Sequence, residues 1–76
     1  MSMINELDLV VLLKDMPDFK LRAGDVGTVV MIHGNRRGYE VEFATFSGLP
    51  VAVATLPENA VRAVGRHEIA HVREVA

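Results

Sequence analysis

His67-Glu68-Ile69-Ala70-His71 is the stretch of the chain whose residue types and spacing match a known piece of chemistry. In the pattern H-E-x-x-H on a helix, two histidines lie one turn apart on one face and can grip zinc, while the glutamate acts as general base. A catalytic zinc also takes a third protein ligand and keeps a position open for water. Val72, Arg73, Glu74, Val75 and Ala76 follow His71, so Glu74 is the downstream candidate, and His33 is the remaining histidine. A zinc hydrolase further needs a cleft that excludes water and orients a substrate, and so short a segment supplies little chain for one. The expectation is therefore no enzyme, no catalytic residue and no cofactor. His67 and His71 stand as the metal candidates, and a metal-dependent hydrolase using His67, Glu68 and His71 stands as an alternative. The expected form of this segment is a short tail helix after the break at Gly65. It would carry the histidines on its polar face and bury Ile69, Val72 and Val75 or Ala76.

The other charged positions offer recognition rather than catalysis. Arg36 and Arg37 sit together in a glycine-flanked loop and can reach a phosphate or an acidic partner. Lys20 and Arg22 flank Leu21 in a longer loop, next to Phe19. Phe19, Lys20, Arg22, Arg36 and Arg37 are the candidate partner-binding residues. Glu40 and Glu42 alternate with apolar residues and read as solvated strand positions, because nothing apolar nearby would raise a carboxyl pKa. Eight basic residues face ten acidic ones, a formal net charge of −2. A nucleic-acid binder draws most of its affinity from a basic surplus, which this composition lacks. A nucleic-acid-binding barrel using Lys20, Arg22, Arg36 and Arg37 is thus a further alternative, not the main reading. The aromatic set (Phe19, Tyr39, Phe43 and Phe46) is too thin for a proline-peptide groove.

These residues need a scaffold. A chain of 76 residues makes one domain, which buries only roughly 60% of the surface its unfolded form exposes. Half of the residues are hydrophobic and none is cysteine, so stability must come from packing rather than disulfides or thiolate metal sites. The start, Met1 to Glu6, lacks a basic region, and Glu6 and Asp8 interrupt the apolar run, unlike a signal peptide. No stretch reaches the length of a spanning helix. A cytoplasmic protein with no membrane partner is the expectation.

The apolar residues come in short runs. Asp8 to Met16 reads as a strand apolar on both faces, with Val10 and Leu12 on one and Val11 and Leu13 on the other, of the kind usually covered on both sides. Pro17 ends it. Gly27 to His33 is a second strand, and Gly34 to Gly38 a hairpin loop in which Asn35 would take the positive φ. Tyr39 to Phe46 is the clearest strand, since Tyr39, Val41 and Phe43 alternate with Glu40 and Glu42. Val51 to Leu56 is a fourth, Pro57 to Ala60 a helical turn with Pro57 at its start, and Val61 to Val64 a short fifth. Five such strands predict an all-β fold, a small five-stranded barrel over residues 1–64, with residues 65–76 as a C-terminal tail.

Four segments in this order carry a resemblance. They are Asn5 to Leu12, Leu21 to Val30, Tyr39 to Phe43 and Ala52 to Leu56, and they cover most of residues 4 to 64. They resemble a family of small bacterial proteins, a domain of unknown function with an SH3-like barrel. The core string Gly24-Asp25-Val26-Gly27-Thr28-Val29 recurs in other SH3-like barrels and marks a fold rather than a function. Its residue types suit a turn, because glycine reaches backbone conformations closed to other residues and aspartate accepts bonds from nearby amides. Gly24, Asp25 and Gly27 are accordingly read as structural turn residues. The resemblance implies a protein that binds a partner, in its most concrete form an antitoxin or immunity protein. The partner would be the product of a neighbouring gene, and the surplus of apolar surface would also suit a homodimer.

Overall fold

The structure, a computed structural model, describes residues 3–75. Its elements are β1 (Leu9–Leu12), a 3-10 turn (Pro17–Phe19), β2 (Val26–Ile32), β3 (Gly38–Ala44), β4 (Pro50–Pro57), a second 3-10 turn (Glu58–Ala60) and β5 (Val61–Ala63). The strands form one antiparallel sheet in the order β4-β3-β2-β1-β5. The last strand thus returns to pair with the first, Val10 opposite Ala63 and Leu12 opposite Val61. The all-β, five-stranded fold is as expected. Strand ends differ by a few residues, most at β1, which stops at Leu12.

The sheet curls round one core to which every strand contributes. Val10 and Leu12 of β1, Val29 of β2, Tyr39, Val41 and Phe43 of β3, Ala54 and Leu56 of β4 and Val61 of β5 are all buried, with Leu21 and Ala60 from the connections. The alternation of β3 therefore holds. In β4 the small-residue face goes inward: Ala54 sits opposite Val41 and leaves it room, while Val53 points out beside Glu42. The expectation that β1 is covered on both faces fails in part, since Leu9 and Leu13 are about half exposed.

Two bulges explain where simple alternation breaks. The pairing of β2 with β3 skips a residue between Val29 and Met31, so Val30 is extra and both Val30 and Met31 face out. The pairing of β3 with β4 skips Val51, between the pairs Phe43–Ala52 and Ala44–Pro50. Strand β4 lies at the sheet edge and carries a proline at each end, in positions where a ladder donor is not needed.

Two turn expectations need correction. In the hairpin loop the left-handed residue is Arg36 (φ +58°), not Asn35. A turn closes first, with the Arg36 amide donating to His33 O at 2.8 Å, and the residue after Asn35 must then reverse the chain into β3. Gly24 does use a positive φ (+96°), but Gly27 does not. Gly27 is buried, and a Cβ there would lie 2.5 Å from Val41 Cγ1, 2.8 Å from Phe43 Cε2 and 3.0 Å from Glu42 O. Its role is to let β2 and β3 approach.

The tail is not a helix. The described residues from Val64 to Val75 have no regular structure, and Ile69 and Val72 are 95% and 67% exposed rather than buried. Isolated helices this short are marginal in water, and Ile, Val and His are weak helix formers. Side chains that would face solvent on a helix instead turn back onto the sheet. Glu68 accepts the Gly65 amide at 2.5 Å, and Arg73 reaches the β1–β2 connection.

The two glycines give separable outcomes in urea titrations. Gly27→Ala is expected to cost about 1–3 kcal/mol through overpacking against the stiff Val41 side chain, and Gly24→Ala about 1–2 kcal/mol through its backbone alone. The Gly27→Ala penalty should shrink in a Val41→Ala background and the Gly24→Ala penalty should not. A Gly27→Ala protein as stable as the parent would refute the close approach.

Candidate functional site

The β1–β2 connection is built to hold one carboxylate in place. Met16 and Leu21 pair across the loop, and Leu21 drops into the core. Between them lie Phe19, partly exposed, and Lys20, whose left-handed backbone (φ +61°) turns its carbonyl outward. Next, Gly24 N–H donates to Leu12 O at 2.7 Å and Leu12 N–H to Asp25 O at 2.8 Å, tying the turn to the end of β1. Asp25 Oδ2 accepts the Arg22 amide at 2.8 Å, which shapes the turn.

Arg73, from the tail, completes this arrangement. Its Nε donates to Asp25 Oδ1 at 2.7 Å and its Nη2 to Asp25 Oδ2 at 2.5 Å, a two-pronged charge-assisted pair. Nη2 also donates to Lys20 O at 3.0 Å. The Arg73 hydrogen bonds, with the Arg22 amide, hold the Asp25 carboxyl below the usual carboxylate range against an opposing push from burial. Sequence reasoning found Asp25 as a turn residue but not its partner. The two are 48 residues apart, and no spacing announces such a pair.

A groove of about 660 Å³ runs between the sheet and this tethered tail. Leu9, Val26, Ala44, Phe46 and Val51 form one wall, and residues 70–75 the other. The wall is largely apolar and incompletely covered: Leu9 is 53% exposed, Val26 43% and Phe46, at the tip of the β3–β4 turn, 90%. Hydroxyls of Thr45 and Ser47 lie at the same end, bonded to each other at 2.9 Å.

The histidine motif loses both things its chemistry needs. Without a helix, nothing sets His67 and His71 one turn apart on a common face. Glu68 is already engaged: its oxygens accept Arg62 Nη1 at 2.6 Å and Nη2 at 2.7 Å, besides the Gly65 amide. These bonds, the Arg62 pair foremost, lower its pKa to about 2, too weak a base for water activation near neutral pH. Among the described residues, no group of three or more His, Asp or Glu is placed to hold a metal ion.

The basic candidates split into two places. Lys20 and Arg22 lie beside Asp25, whereas Arg36 and Arg37 lie at the far end of β2, about 20 Å away at the usual rise per strand residue. They do not make one patch. Arg36 is turned inward to its own chain, its Nη1 donating to Ile4 O at 2.6 Å. Glu40 is not a freely solvated carboxylate either. It accepts Thr55 Oγ1 at 2.7 Å and meets His33 Nε2 at 2.7 Å, and these contacts lower its pKa. Glu42 is exposed, as expected.

The Glu68 pairing has a signature in a carboxyl-carbon NMR titration. Its folded pKa lies below the ordinary value of 4.5, so its stabilising contribution is complete above that value and vanishes as pH falls through about 2. Glu68 should titrate near pH 2 in the parent and move up toward 4.5 in Arg62→Ala. A parent midpoint at 4.5 would contradict the pairing.

A family model described as a domain of unknown function (DUF4926) matches residues 6–63, from the turn before β1 to the last residue of β5. No curated protein and no solved structure matches the chain.

Proposed function

The chain belongs to the DUF4926 family, and from that premise we propose that it is a protein-binding module that carries no catalytic activity of its own. Its most concrete form is a cytoplasmic antitoxin or immunity protein whose partner is encoded by a neighbouring gene. The observation that carries this reading is the groove beside the tail, where Leu9, Val26 and Phe46 leave apolar surface exposed next to an ordered carboxylate–guanidinium pair. A small domain needs most of its apolar residues for its own core. An exposed apolar cluster rimmed by polar groups is what an interface requires. Phe46 supports the reading most directly, because an aromatic side chain at a turn tip contributes nothing to the core and much to a contact.

Two features support a binder over the alternatives. Glu68, the residue a hydrolase would need as base, is committed to Arg62. The four basic residues that a nucleic-acid reader would use lie at opposite ends of β2.

Co-expression with the product of the adjacent small open reading frame tests the proposal. A complex that co-elutes on size exclusion is expected. Phe46→Asp should weaken it at least about tenfold, since a charge replaces a buried aromatic anchor, while leaving the melting temperature unchanged. Failure to form any complex would remove the antitoxin form. A complex indifferent to Phe46→Asp would move the interface away from the groove.

A further inference from the structure

Resting on the reading above, the geometry points to the chemistry of the partner: we infer that the groove receives an extended peptide segment carrying an arginine beside apolar residues, and that the tail occupies this arginine site in cis as a built-in competitor. The tail shows what the site accepts. It enters without regular structure, and Arg73 makes the polar contacts that hold it, two to Asp25 and one to Lys20 O. A guanidinium suits this site because its planar fork matches both carboxylate oxygens while a further N–H reaches the carbonyl. The three donors of lysine radiate from one nitrogen and do not match that planar two-oxygen fork.

The tail is also a poor fit for the rest of the groove. Ile69 is 95% exposed, Val72 lines the groove yet stays 67% exposed, and the apolar wall of Leu9, Val26 and Phe46 stays open beside them. The tail therefore gains little from apolar burial. It holds its place through the arginine and through tethering, which supplies an effective concentration in the millimolar range. An incoming segment that places an arginine on Asp25 and lays apolar side chains on Leu9, Val26 and Phe46 makes the contacts the tail makes and adds those it leaves out. Charge complementarity to Asp25 fixes the sign of the partner's anchor, and the irregular tail that now meets the site shows that a segment without secondary structure can fill it.

The test uses the full chain and a fluorescent, end-capped peptide of residues 69–75 as probe. The full chain with Arg73→Ala has its arginine site vacated and should bind the peptide at least about tenfold more tightly than the parent chain, whose own tail competes. The same peptide carrying Arg73→Ala should bind at least about tenfold more weakly, and one carrying Arg73→Lys should fall between. Because these last changes are in the peptide, they do not depend on how a variant chain folds. Equal binding to parent and Arg73→Ala chains, or binding indifferent to the peptide's arginine, would overturn the inference. So would a parent dimer that Arg73→Ala abolishes, since a second copy's tail would then be the occupant. If the neighbouring product still forms its Phe46-dependent complex while the peptide arms fail, the binding-module reading stands and the arginine site alone falls.

Discussion

Both oxygens of the Asp25 carboxylate are committed to the chain around them. One accepts the amide of Arg22 and so sets the turn that leads into β2, and together they take the guanidinium of Arg73. A carboxylate held this way must stay ionised, and its partners keep it so. The turn positions the start of β2, β2 carries Gly27 and Val29 into the core, and the tail is fixed relative to the sheet through the same side chain. Local shape and long-range attachment thus pass through one group. The groove exists because a segment without secondary structure is tied down at two points, Glu68 and Arg73, and not along its length.

The tail has two anchors of different character. Near its origin Glu68 bridges to Arg62 and to the Gly65 amide, on an exposed part of the surface. Further on, Arg73 meets Asp25 where both side chains are largely covered. Exposed ion pairs are screened and worth little, while pairs withdrawn from water resist salt better. The first anchor therefore directs the chain as it leaves β5, and the second decides whether the tail stays on the groove. The histidines between them are carried along by this path rather than displayed by a helix.

Much of the fold could be read from the sequence, because binary alternation and turn residues report local geometry. Tyr39, Val41 and Phe43 entered the core on their period of two, and the prolines and glycines marked most strand limits. The misreadings arose where the physics was not local. A bulge at Val30 shifted the faces of β2, which no pattern within that strand could reveal. In β4, Val53 faces out while Ala54 fits opposite Val41, an arrangement set by the neighbouring strand. Gly27 looked like a turn residue, yet its reason is the neighbouring strand's side chains. For the site the contrast is sharper. A helical motif was visible at His67 to His71 but the helix did not form, while the Arg73–Asp25 and Arg62–Glu68 pairs that govern the tail left no mark in residue spacing.

The prolines that bracket β4 bear on how the molecule behaves in a crowd. An unpaired strand is a template on which other chains can stack, and fibrous aggregates grow from such templates. Pro50 and Pro57 cannot donate, so an intruding strand would find a ladder interrupted at both ends of the longest strand in the sheet. In a domain with so much apolar side chain on its outside, these two residues are thus a guard against edge-to-edge stacking along β4.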